Sequence, residues 1–337
     1  MLGWKPKFQD ARIASVRFRC LNPIAELQKR GFPVELFDES HLSQYSGVVF
    51  SKLYDQQNYN LARSLKEQGK AVIFDICDNH FYNPYQLEKF KTVREQLLRM
   101  LDCADLIVAS TPTLAEVLVK EADLRSVPVV IGDAVEEHAI TGAGNRRWFR
   151  LPARRWIRRN GTANILWFGI NGGENAPYGM LDILNQKDLL IELSRTYPLQ
   201  LLVVSDSRKK FKKYIEPLRL RTLYIEWGAV SFSEILRETD INIIPISRNP
   251  FTLCKTNNRL VTALFAGVPT VADEIPSYRD LAPYCVLNHW KSGLRFYLDN
   301  KPGGREQARS ARPYILEHYT INHIGDAWAK HLSAFVD

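Results

Sequence analysis

Ile244-Pro245-Ile246-Ser247-Arg248-Asn249-Pro250-Phe251-Thr252-Leu253-Cys254-Lys255-Thr256-Asn257-Asn258-Arg259-Leu260, continuing to Ala266-Gly267-Val268-Pro269-Thr270-Val271-Ala272, is the stretch that decides the fold. An apolar run ends at a polar loop. A helix opens near Asn257 and stops at Gly267, a residue suited to a helix C-terminus. Pro269 then leads into a second apolar run. Strand, loop, helix and strand in this order make the unit of a parallel sheet with helices on its faces. The pattern places Lys255 and Arg259 in and just after the first helical turn, beside the asparagine-rich opening that contains Asn258. Backbone N–H groups point outward there, so two cations at that place suit a diphosphate. The competing reading is two solvated surface residues.

The same alternation extends in both directions. Short Val- and Ile-rich runs at 165–168, 201–205, 223–226, 241–245 and 270–272 read as buried strands. Helical patterns at 181–196, 211–218, 232–238 and 258–266 separate them. An earlier series has strands at 34–37, 48–50, 71–76, 106–109 and 127–131, with helices at 22–30, 58–68, 86–101 and 113–121. Between the series, 132–160 holds glycines, a proline and many arginines and reads as a linker. The expectation is an α/β chain of two doubly wound, Rossmann-like domains facing a cleft. They would cover 1–160, linker included, and 161–312, with a C-terminal helix in 313–337 that packs back on the first domain or does not.

Composition agrees with two cores. The chain has 337 residues, 45% hydrophobic and 24% charged, long enough for two domains. Its five cysteines are scattered without metal-ligand spacing and odd in number, which speaks for reduced thiols rather than a disulfide framework. No signal core or apolar run of membrane-spanning length is present, so a cytoplasmic protein is expected. The net charge of +8 suggests an anionic partner. No nucleic-acid motif accompanies it, so nucleic acid is not expected.

The stretch 255–272 resembles the donor-site helix of GT-B glycosyltransferases, in the large nucleotide-sugar group typified by sucrose and mannosyl transferases. There a Lys, an Asn-Lys, an apolar pair and a Glu precede Ala-x-Gly-x-Pro and a valine strand. Arg17-Phe18-Arg19-Cys20-Leu21-Asn22-Pro23, with Glu26-Leu27 and Gly31, is similar to the opening of bacterial members. Trp167-Phe168-Gly169-Ile170 resembles the first donor-domain strand and its turn, and 319–332 with Trp328 resembles the final helix. The resemblance implies a nucleotide sugar bound mainly by the second half, with Lys255 and Arg259 on its diphosphate. It also implies a glycan, lipid-linked or other hydroxyl acceptor on the first half, and neither cofactor nor metal.

The departures are specific. The family's glutamate pair, with seven residues between, maps onto Cys254 and Thr262. The second glutamate normally hydrogen-bonds the ribose, a bond Thr262 replaces only weakly. The Arg and Lys after the first donor-domain strand are missing. Gly169, Gly172 and Gly173 stand there, either letting backbone N–H groups approach phosphate or forming a plain tight turn.

In the first half, Asp75 lies at the end of the strand at 71–76, and Asp78 and His80 follow it. Asp78 or His80 would take the acceptor's proton or orient the acceptor, unless the aspartates only cap the following turn. Arg17 and Arg19 would meet an anionic acceptor or donor phosphate, or lie at the surface. The run 146–159 interleaves seven arginines with aromatic and aliphatic residues. Trp148, Arg154, Arg155, Trp156, Arg158 and Arg159 would touch an anionic membrane at its inner face, or pack as a linker. The rival functions are a noncatalytic glycan- or nucleotide-binding relative and, more remotely, a sugar-nucleotide epimerase.

Overall fold

The computed structural model describes residues 1–137, 157, 161–173 and 177–336. They contain two parallel sheets of six strands each. The first comprises β1 (Leu2–Pro6), β2 (Val34–Leu36), β3 (Gly47–Ser51), β4 (Ala71–Ile76), β5 (Leu106–Ala109) and β6 (Val129–Val130). Their order across the sheet is β2-β1-β3-β4-β5-β6. The second comprises β7 (Ala163–Phe168), β8 (Leu199–Ser205), β9 (Thr222–Glu226), β10 (Ile241–Ile244), β11 (Thr270–Ala272) and β12 (Val286–Leu287), in the order β12-β11-β10-β7-β8-β9. Every residue of β3, β7, β8 and β10 is buried, as expected of parallel strands covered on both faces.

The first sheet carries α1 (Asn22–Lys29), α2 (Gln56–Glu67), α3 (Glu88–Cys103) and α4 (Pro112–Ala122). The Asp55 carboxylate accepts from Asn58 N at the start of α2, and Thr111 Oγ1 accepts from Leu114 N at the start of α4. Each thus satisfies a backbone donor that the helix itself leaves open. The second sheet carries α5 (Lys187–Ser194), α6 (Arg208–Tyr214), α7 (Ala229–Arg237), α8 (Asn258–Phe265), α9 (Trp290–Asp299), α10 (Lys301–Arg309) and α11 (Arg312–His318). Gly267 ends α8 at φ +70°, a left-handed conformation that favours glycine. Last comes α12 (Ile321–Leu332), whose Trp328 ring meets Trp4 of β1 edge-on at 4.7 Å.

The chain forms two compact units. One is Met1–Ala134 with Leu253–Thr256 and His318–Asp337; the other is Val135–Thr252 with Asn257–Glu317. The first unit thus ends at Ala134 rather than 160, and it takes in four residues from the middle of the deciding stretch.

The elements differ from the sequence expectation in several places, and β12, α9 and α10 were not expected at all. β1 carries Gly3 and ends in Pro6, which masks a central strand; a Cβ at Gly3 would lie 2.9 Å from the Tyr45 ring. The helix expected over 181–196 is a 3-10 turn, Met180–Gln186, followed by α5. The last helix is broken where Thr320 accepts from His323 N and starts α12 afresh. Expected from 211, α6 begins at Arg208, where an apolar pattern gives no signal.

Both sheets contain a point where the chain reverses its direction of growth. In the first it lies between β1 and β3, and in the second between β7 and β10. Connections on the two sides leave in opposite directions, opening a crevice at the carboxyl ends of those strands.

Candidate functional site

In the second unit the crevice between β7 and β10 is marked by Arg259, in the first turn of α8. Its Nη1 lies 3.5 Å from the carbonyl oxygen of Phe168, the last residue of β7. A Cβ at Gly169 would lie 3.3 Å from the same nitrogen, so glycine there lets the guanidinium approach. The amide of Gly169 donates to Val204 O at 3.1 Å and that of Asn171 to Asp206 Oδ1 at 2.7 Å. The Gly169 amide is therefore not an available phosphate donor, contrary to one sequence expectation: the sheet already uses it. Gly172, at φ +97°, supports the tight-turn reading. A Cβ there would lie 2.2 Å from Tyr178 O, so only glycine closes this loop. Gly173 is exposed. Asn258 opens α8 and Thr262 follows one turn later, both half-buried.

Two carboxylates that sequence reasoning missed hold this crevice. Asp182 accepts from Gly179 N at 2.9 Å through Oδ2, and from Ser247 Oγ at 2.6 Å through Oδ1. Burial pushes its pKa up. Asp273 accepts from Ile246 N and from Trp290 Nε1, both at 2.7 Å. Together they fix the loop that leaves β10. Asp182 stands three residues after Gly179, a helix-start spacing that was the available sequence signal.

In the first unit the carboxyl ends of β3 and β4 hold a buried charge network. Arg19 lies in a π-helical turn, Arg17–Leu21, and is 1% exposed. Its Nη2 donates to Asp75 Oδ1 at 2.5 Å, and its Nη1 donates to Ile131 O at 2.6 Å and lies 3.4 Å from Asp133 Oδ1. Asp75 also accepts from Ser51 Oγ at 3.0 Å. Arg19 and Asp75 therefore form a sealed structural pair rather than a contact for an anionic ligand. Burying a guanidinium requires such compensation. Arg17 turns its Nη1 to Ala11 O at 2.9 Å and Arg12 O at 3.0 Å.

Asp78 is clasped by two ammonium groups, Lys52 on Oδ2 and Lys255 on Oδ1. These lysines hold its carboxyl well below the usual carboxylate range against the opposing effect of burial. Lys255 thus precedes α8 and pairs with Asp78, where the sequence placed it at the helix opening facing a diphosphate. Thr256 Oγ1 donates to Asp133 Oδ2 at 2.7 Å, and Thr111 Oγ1 to Cys254 O at 3.1 Å. These bonds seat Leu253–Thr256 in the first unit. Lys52 was not anticipated. It follows β3 with φ +60°, a strained conformation for a non-glycine residue of the kind that gathers at functional sites.

His80 stacks beside Tyr54, and its Nδ1 lies 2.8 Å from Tyr54 Oη. Its Nε2 is 3.9 Å from Asp78 Oδ2. Burial, reinforced by Lys52, pushes its pKa down to about 3, so the imidazole is neutral near pH 7.

Trp148, Arg154, Arg155, Trp156, Arg158 and Arg159 lie outside the described residues. Among the described residues no group of three or more His, Cys, Asp or Glu could hold a metal ion, and no helix is long and apolar enough to cross a membrane.

No protein-family model and no curated protein sequence matches the chain. Solved structures do. Anabaena Alr3699/HepE, in complex with UDP and glucose, superposes with a TM-score of 0.68 at 12% identity, over 99% of each chain. A glycosyltransferase from Rickettsia africae gives 0.67 at 12% identity, over 99% of this chain and 97% of that one. A UDP-forming α,α-trehalose-phosphate synthase from Burkholderia vietnamiensis gives 0.61 at 10% identity, over 94% and 74%. With two parallel six-stranded sheets and chain-long likeness to these structures, the protein has the GT-B fold of glycosyltransferases.

Proposed function

We propose that the protein is a glycosyltransferase. It takes a sugar from a nucleotide-activated donor held by the second unit and passes it to a hydroxyl of a glycan, lipid-linked or other acceptor held by the first. The observation that carries this reading is Arg259, a cation in the first turn of α8 at the β7–β10 reversal point, with glycine opposite its guanidinium. Ligands of open α/β sheets bind at such points, and a diphosphate there meets both the guanidinium and the helix N-terminus. Transfer breaks the bond between the anomeric carbon and the phosphate oxygen and forms one from that carbon to the acceptor oxygen; the acceptor's proton passes to the departing phosphate, whose developing charge Arg259 neutralises. Asn258 and Thr262, on the same helix, supply polar contacts to the nucleotide.

On the acceptor side, His80 and Asp78 orient the acceptor hydroxyl rather than remove its proton. A carboxylate clasped by two lysines and an imidazole pushed down to about 3 are both poor bases at neutral pH. UDP-glucose is the first donor to try, because Alr3699/HepE was solved with UDP and glucose. Turnover of a UDP-sugar, lost in Arg259→Ala and insensitive to a chelator, is the expected result. Absence of nucleotide-sugar binding sinks the proposal.

The noncatalytic reading has its own observation. Cys254 and Thr262 replace the glutamate pair, and Cys254 is buried in the first unit's core. Nucleotide-sugar binding without any product would favour it.

A further inference from the structure

Residues 206–219, which contain α6, carry six cations, Arg208, Lys209, Lys210, Lys212, Lys213 and Arg219, against two carboxylates, Asp206 and Glu216. Arg208, Lys209, Lys212 and Lys213 stand at i, i+1, i+4 and i+5, which puts them on one stripe of the helix. All four are exposed, as is Arg219, while Phe211 and Ile215 anchor the other side in the core. Elsewhere, some helical cations meet a carboxylate one turn away: Arg30 with Glu26 at 2.8 Å, Arg63 with Glu67 at 3.2 Å and Lys91 with Glu88 at 2.7 Å. Among the described residues, two cations of α6 are engaged by polar or π partners beyond the helix. Lys210 donates to Asn171 O at 2.7 Å, and Arg208 lies over the Tyr224 ring at 4.9 Å. Lys213 sits 4.9 Å over the ring of Tyr214, which is 36% exposed.

We propose that this face of α6 docks the second unit on an anionic lipid bilayer. The uncompensated charge fits that occupant, since a bilayer rich in phosphate head groups presents a plane of negative charge to a row of lysines. Tyr214 fits it too, with an apolar ring and a polar tip suited to the head-group level. The proposal does not depend on glycosyl transfer.

The test is sedimentation of the full chain with phosphatidylglycerol–phosphatidylcholine vesicles at low salt. The variant replaces Lys209, Lys212, Lys213 and Arg219 by Gln, sparing Arg208 and Lys210, which have partners of their own. A second variant replaces Arg154, Arg155, Arg158 and Arg159 by Gln, because 146–159 is the other basic stretch. Each cation near such a surface strengthens partition roughly fivefold, so the α6 variant is expected to bind roughly a few hundredfold more weakly, with its circular dichroism unchanged. Added salt should weaken the unmodified protein's binding. Three results would overturn the proposal: no sedimentation of the unmodified protein, equal sedimentation of the α6 variant whatever the second variant does, or tighter binding of the same face to duplex DNA or RNA than to the vesicles.

Discussion

The two reversal points share one architecture and use charge in opposite ways. In the first unit Arg19 pairs with Asp75 and Asp133, and Lys52 and Lys255 clasp Asp78, so each charge meets an opposite one within the unit. In the second, Arg259 faces the end of β7 from a half-buried position, and the nearby carboxylates Asp182 and Asp273 accept from backbone, hydroxyl and indole donors. Paired charges fix a shape, whereas a cation bonded to a neutral carbonyl keeps its charge for a ligand. A reversal point in each sheet therefore does not imply identical work in the two units.

This contrast can be broken most directly at Asp75. Asp75→Asn leaves Arg19 buried without its main counter-charge and should cost about 3–5 kcal/mol in urea unfolding of the first unit. Nucleotide affinity should not move. A loss below ~1 kcal/mol would mean that Arg19 does not depend on Asp75 as described.

Arg259→Ala should do the reverse. Stability should change little, while nucleotide-sugar affinity by calorimetry falls by about 1.5–3 kcal/mol, the value of a hydrogen bond to an ionised group. Unaltered affinity would erase the distinction between the two points.

Gly172→Ala tests the loop beside Arg259. The new methyl meets Tyr178 O and the backbone must hold φ +97°, so about 1–3 kcal/mol of stability should be lost. A fully stable variant would show that the loop is not closed by this contact.

His80 sharpens the comparison through pH. Its pKa is about 3 when folded and about 6.5 when unfolded. Between those values the unfolded chain binds a proton that the folded chain refuses. Stability should therefore fall with falling pH, by up to about 1.4 kcal/mol per unit across that window. His80→Gln should flatten this slope. Asp78, also depressed, acts in another window: its contribution is lost only below the ordinary carboxylate pKa, as pH falls toward its folded value.

Most strands of both sheets were readable as apolar runs, because strands buried on both faces need continuous Val, Ile and Leu. β1 escaped because Gly3 and Pro6 interrupt a five-residue strand. α6 began earlier than read because its first turn is basic rather than apolar. Arg259 was legible as a helix-opening cation after a strand. Lys52 was not: one lysine after Ser51 carries no signal until β4 and the 253–256 tetrapeptide are brought beside it.

The sequence by itself determined two parallel α/β series, the punctuation of their helices and the cations at the start of α8. These are local properties, written in periodicity, glycine and proline. Only the tertiary structure decided which charges are spent and which are kept. Lys255 and Arg259 stand four positions apart and looked alike. Lys255 belongs to the first unit and is neutralised by Asp78, whereas Arg259 belongs to the second and meets the end of β7. A charge's role depends on the partner that folding brings within a few ångströms, and here that partner lies far away along the chain.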